Sequence, residues 1–124
     1  ESFRGILDGK GRVVFDGRIV VERDAQQTDA ILSNHNLMLS RLAEVDTKPQ
    51  LEIYADDVKC SHGTTVGELD HNMLFYLRSR GVPEAQAKRM LCEGFAQEVL
   101  DRIESPPLRA RARNHLAARL TTTV

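Results

Sequence analysis

Cys60 and His62 stand on either side of Ser61, in the run Lys59-Cys60-Ser61-His62-Gly63-Thr64-Thr65-Val66-Gly67. Two residues apart on a regular strand, their side chains share one face. They could therefore converge on one ligand, or act as a thiolate with its base. A cysteine hydrolase would also need an oxyanion hole and a third group to orient the base, and the sequence shows neither. A closed zinc site would need four ligands, and no C-x-x-C or H-x-x-x-H spacing is present. His71 and Cys92 could complete such a set only if folding brought them there. Two readings stay open. One is a half-buried thiol beside a surface imidazole. The other is half of a metal site, His62 and Cys60, whose remaining ligands come from another chain.

Other residues able to do chemistry carry weaker signals. Gly63-Thr64-Thr65-x-Gly67 lacks the Lys-Ser/Thr that ends a phosphate loop and reads as the turn from a strand into a helix. His35 lies in a polar stretch and His115 between arginines, and both read as solvated. Arg109, Arg111 and Arg113 lack interleaved aromatics and follow the acidic Glu93, Glu98, Asp101 and Glu104. They predict a solvated or partner-facing helix rather than a nucleic-acid stripe.

The elements that would position these groups fall into two halves. Up to about His62 the pattern is that of strands, rich in β-branched residues at Val13-Val14 and Ile19-Val20-Val21. Short strands are predicted at Phe3–Leu7, Arg12–Phe15, Arg18–Glu22, Asp29–Leu32, Asn36–Ser40 and Gln50–Ile53. Asp8-Gly9, Asp16-Gly17, Ser33-Asn34 and Lys48-Pro49 punctuate them. Asp16-Gly17 taken alone predicts a two-residue hairpin. The competing reading is a parallel solenoid, with a corner at Asn34–Leu39. Such a stack needs about three coils to bury a core.

Beyond Gly67 the period is helical. Asp70 is a fitting N-cap for a helix over His71–Ser79, with Gly81 as its left-handed stop. Pro83 stands where a second helix should begin, and Ala87, Leu91, Phe95, Val99 and Ile103 recur every four residues as its apolar stripe, broadened by Met90 and Leu100. Gly94 interrupts this helix and suggests a close helical neighbour. Ser105-Pro106-Pro107 breaks the pattern before a third helix from Leu108 to about Leu120. Thr121–Val124 carries no signal and is expected to fray. The domain reading is therefore 1–67 for the β part, 68–120 for the helical part and 121–124 for a tail.

Composition narrows the function. The chain has 124 residues, 41% of them hydrophobic, with 17 basic and 18 acidic side chains and a net charge of -1. That balance argues against a polyanion-binding surface, whether nucleic acid or membrane. No apolar run approaches the roughly 18 residues of a membrane span. Two cysteines are too few for a disulfide framework and suit a reducing compartment, most simply the cytoplasm. The first residues, ESFRGILDG, have no initiator Met and no signal-peptide shape, and read as a chain entered in mid-fold.

The Lys59–Gly67 run, the block Leu74-Phe75-Tyr76-Leu77-x-Ser79-Arg80-Gly81 and the stretch from Ala87 to Gly94-Phe95 together resemble the C-terminal region of the SufB/SufD family. These are scaffold components of the SUF iron–sulfur cluster assembly system. Ser61-His62-Gly63 resembles the SufD-like branch, whereas SufB-like members carry His-Glu-Ala before their helix. The resemblance implies the terminal coils of a right-handed parallel β-helix followed by a small three-helix domain. It implies a non-enzymatic scaffold that pairs with SufB at the β-helix end and docks the ATPase SufC through the helices. Pro83, Met90, Leu91, Phe95, Val99 and Arg109 are the expected docking residues. It further implies that His62, and less strongly Cys60, face a SufB cysteine across that interface. No stably bound cofactor is expected, only iron or an iron–sulfur cluster in transit through the full complex. In isolation the exposed β end is expected to pair with a second copy of itself. A stand-alone metal-binding or thiol-dependent module is the alternative.

Overall fold

The computed structural model describes residues 1–123. It divides into two compact units, one from Glu1 to Gly67 and one beginning at Glu68. The first holds five strands: β1 (Ser2–Leu7), β2 (Arg12–Val21), β3 (Asp29–Met38), β4 (Glu44–Ile53) and β5 (Lys59–Glu68, its last residue falling past the unit boundary). The second holds three helices: α1 (His71–Ser79), α2 (Glu84–Asp101) and α3 (Pro106–Thr123).

Successive strands alternate between two sheets, ordered β1-β3-β5 and β2-β4. The pairing is parallel, with Ser2 opposite Ser33 in one sheet and Arg12 opposite Glu44 in the other. Each circuit thus advances the chain by 31 residues at Ser2 and 32 at Arg12. The strands read in-out along their length. In β2, Phe15, Ile19 and Val21 turn inward while Asp16, Arg18 and Val20 face out. The two sheets meet through these inward rows. The Phe3 and Phe15 rings lie 4.9 Å apart and tilted, an arrangement aromatic pairs favour. Leu7, Val21 and Leu32 are buried in the same layer, and Leu37 is buried near the end of β3.

Parallel pairing overturns several local expectations. Asp16-Gly17 forms no hairpin; β2 runs straight through it, with Gly17 opposite Pro49. Gly17 is there for close approach, because a Cβ would press on the Phe15 ring at 2.7 Å and on Leu32 at 3.0 Å. Ser33-Asn34 and Lys48-Pro49 also lie inside strands, so the predicted fragments merge into ten-residue strands. Asn34 and Asn36 make no corner. Both face inward and are buried, and Asn36 Nδ2 donates to Asn34 Oδ1 at 2.7 Å. Gly63–Gly67 is strand rather than turn.

In the second unit α1 has the expected limits. Asp70 accepts from the backbone N–H of Asn72 at 2.8 Å and of Met73 at 3.2 Å, and Gly81 takes φ 87°. Pro83 precedes α2 as its cap rather than opening it. The buried row of α2 is Ala87, Cys92, Ala96 and Leu100, of which the predicted stripe held Ala87 and Leu100. Leu91, Phe95 and Val99 flank this row and are half-buried, as is Ile103 just past the helix. Gly94 faces open space, so no close neighbour explains it.

α3 begins at Pro106, two residues before the expected start. Prolines suit a first turn because its N–H groups have no partner in the helix. The helix also continues through Thr121 and Thr122, whose hydroxyls donate back to the Ala117 and Arg119 carbonyls. The expected fraying therefore does not begin at Thr121, and Val124 lies outside the described residues. The side chains buried in this unit are mostly small, so its core is thin.

Candidate functional site at the terminal strand

β5 is the last strand and lies at the edge of its sheet, beside β3. Stacked corners fix where it begins. Gln27, at φ 63°, donates its N–H to the Asp57 carbonyl at 2.6 Å, and the Asp57 N–H donates to Gln26 Oε1 at 2.9 Å. The Lys59 N–H then donates to the Thr28 carbonyl at 2.8 Å. The same bond at the preceding circuit runs from Ser33 N–H to the Glu1 carbonyl, where Ser33 pairs with Ser2. By that pattern Lys59 lies opposite Asp29.

A second contact agrees with this register. His35 Nδ1 lies 2.7 Å from Thr65 Oγ1, thirty residues along the chain. Continuing the register puts Cys60 over Ala30, His62 over Leu32 and Thr64 over Asn34. In β3 these three form the inward face, and Leu32 and Asn34 are buried there. Cys60 and His62 therefore share the inward face of the last circuit. Cys60 is half-buried and its thiol is free, while His62 is exposed because, among the described residues, no further strand covers it. His35, read as solvated, does face outward, and there its ring is tied to Thr65.

The other sequence candidates do not join this pair. Cys92 is fully buried in α2. His71 lies 4.0 Å from Glu68 on an exposed surface. Among the described residues no group of three or more His, Cys, Asp or Glu side chains gathers as a metal set. What this chain offers is a thiol and an imidazole on an open strand face, two donors suited to borderline metals such as iron or zinc.

The expected docking residues are spread differently. Met90 is exposed and lies with Met73, Phe75, Tyr76 and Leu108 among the uncovered apolar side chains of the second unit. Pro83 is exposed, and Leu91, Phe95 and Val99 are half-buried. Arg109 is turned inward, with Nε donating to the Ile103 carbonyl at 2.8 Å, which closes the α2–α3 connection. Among the described residues no helix is long and apolar enough to cross a membrane.

The model of the SUF-system iron–sulfur cluster assembly SufBD core domain matches residues 1–95. This chain belongs to the SufBD family. The iron–sulfur cluster assembly protein SufD of Escherichia coli is 49% identical over 115 residues, which cover 93% of this chain and 27% of that protein. A SufBD family protein of Synechocystis is 44% identical over 114 residues, covering 92% and 25%. SufD of Bacillus subtilis is 34% identical over 99 residues, covering 80% and 23%. The chain thus spans about a quarter of the length of the curated relatives it matches. The family match takes in all five strands, α1 and the first part of α2.

Proposed function

We propose that this chain is the terminal part of a SufD-type scaffold subunit, non-enzymatic and cytoplasmic, that supplies half of a site for a nascent iron–sulfur cluster. One observation carries the reading. In a member of a cluster-assembly family, the open face of the last strand presents a thiol and an imidazole on adjacent inward positions. The iron or cluster is cargo here. His62 and Cys60 would hold it from one side, and a SufB cysteine from the other. A neutral imidazole binds iron without adding charge and releases it more readily than a thiolate cage, which suits a cluster that must leave.

The alternating parallel strands support a right-handed β-helix as the parent architecture. On that reading β5 is the edge that pairs with SufB, because its outer backbone groups have no neighbouring strand. When SufB is absent, the same edge pairs with a second copy of the chain. The helical unit is the dock for SufC. Support comes from its uncovered Met73, Phe75, Tyr76 and Met90 over a thin core, an apolar centre of the kind a partner interface needs. The test is co-purification with SufB and SufC. Deleting the residues after Gly81 should abolish SufC capture and leave SufB capture intact. SufC capture by the β unit alone would refute the docking assignment.

A further inference from the structure

Outside the half-site, three features lack a role. One is the recess lined by Gln27, Thr28, Asp29, Asp57, Val58 and Lys59. Another is the buried Asn34–Asn36 pair. The third is the outward contact between His35 and Thr65. The last bears most directly on Cys60 and His62, because it acts on the strand that carries them.

β5 is poorly specified by its own sequence. Gly63 and Gly67 lie within it, and every residue but Cys60 is exposed. A strand of this composition, with neither face well buried, holds its register weakly. A slip of one residue would carry Cys60 and His62 to the outer face. Its start is fixed by the Lys59–Thr28 backbone bond and the stacked corners. Beyond that, among the described residues, the side chain that ties β5 to β3 by a hydrogen bond is Thr65, to His35. His35 is itself seated in the middle of β3, opposite Arg4 of β1. The two anchors bracket Cys60 and His62.

We propose that His35 and Thr65 are positioning residues for the half-site, acting as a register pin for the distal half of β5. The proposal rests on the reading of Cys60 and His62 given above, but the pin itself is a property of this chain alone. Its outward location keeps it clear of the inner face where cargo would sit.

The test uses two substitutions at an exposed position. Thr65→Val keeps bulk and raises strand propensity but cannot hydrogen-bond; Thr65→Ser keeps the hydroxyl and lowers strand propensity. Backbone amide exchange of residues 61–67 in the whole chain is the readout. Loss of one net hydrogen bond should speed exchange about fivefold in Thr65→Val, with Thr65→Ser close to the parent. His35→Ala should match Thr65→Val, and the double variant should be no faster than either. The proposal is overturned if Thr65→Val exchanges like the parent, or if Thr65→Ser is the faster of the two. A second arm measures cluster-dependent growth with the full-length subunit. Thr65→Val should fall between the parent and His62→Ala, and Thr65→Ser should match the parent. Faster exchange with undiminished growth would sink the positioning role. If His62→Ala itself grows normally, the half-site reading has failed, and the exchange data still decide the pin.

Discussion

Replacing Gly5 by Ala should destabilise the β unit by about 2 kcal/mol, although alanine is the better residue by intrinsic propensity. Gly5 lies opposite Asn36 in the β1–β3 ladder. A Cβ at Gly5 would overlap Asn36 Oδ1 and touch Asn36 Cγ and Leu7 Cδ1, each at 3.4 Å. Asn36 cannot simply swing aside. Its residue is 2% exposed and its Nδ2 donates to the buried Asn34. Its Oδ1 is already buried without a hydrogen-bond partner. Forced overpacking costs about 1–3 kcal/mol, and weakening the amide–amide bond adds about 1 kcal/mol. Against this stands a gain of about 0.4–1 kcal/mol from the stiffer unfolded chain.

The assay is urea unfolding of the β unit at unchanged slope, with Gly63→Ala as control. Nothing lies within 4 Å of a Cβ at Gly63, so that change should stay within about 0.5 kcal/mol. Asn36→Ala should remove most of the penalty of Gly5→Ala, so the double variant should be markedly non-additive. Equal midpoints for Gly5→Ala and Gly63→Ala, or simple additivity with Asn36→Ala, would refute the close-approach argument.

Two further outcomes follow from the helical unit. Asp70→Ala should cost about 1 kcal/mol and unwind α1 selectively, because α1 has no buried residue to hold it; amide exchange of Asn72 and Met73 reads this. Glu84 is held below its ordinary value of 4.5 by a hydrogen bond and the charge of Lys88, and then by the charge of Arg78. Its contribution is therefore fully present above the ordinary carboxylate range and is lost as pH falls through its lowered value. The pair is solvent-screened, so the effect is small. The acid limb of a thermal-melt profile should flatten slightly in Glu84→Gln.

The contrast between the two halves shows what the sequence could convey. α1 was legible to its ends because its signals are local: a capping carboxylate and a glycine stop. The strands were recognisable as strands, but their limits were not. Asp16-Gly17, Ser33-Asn34 and Gly63–Gly67 are ordinary turn formers, and all lie inside strands here. Their placement answers to residues about thirty positions away, as with Gly5 beneath Asn36. No local rule registers such a pairing. Left-handed Gln27, at an actual corner, carried no turn signal at all. For the site, the spacing of Cys60 and His62 was enough to put them on one face. Which face, and how His35 bears on it, needed the register. In α2 the sequence picked out Ala87 and Leu100 but passed over Cys92 and Ala96, small residues whose burial carries little hydrophobic signal.

The central claim is that His62 is a ligand for cargo and not a surface imidazole. The most direct measurement is growth of a strain lacking this subunit, rescued by the full-length protein carrying His62→Ala, with co-purification of SufB and SufC as the folding control. Assembled complexes with a lowered cluster yield are expected, with a smaller loss for Cys60→Ser. Full rescue by His62→Ala in an intact complex would contradict it.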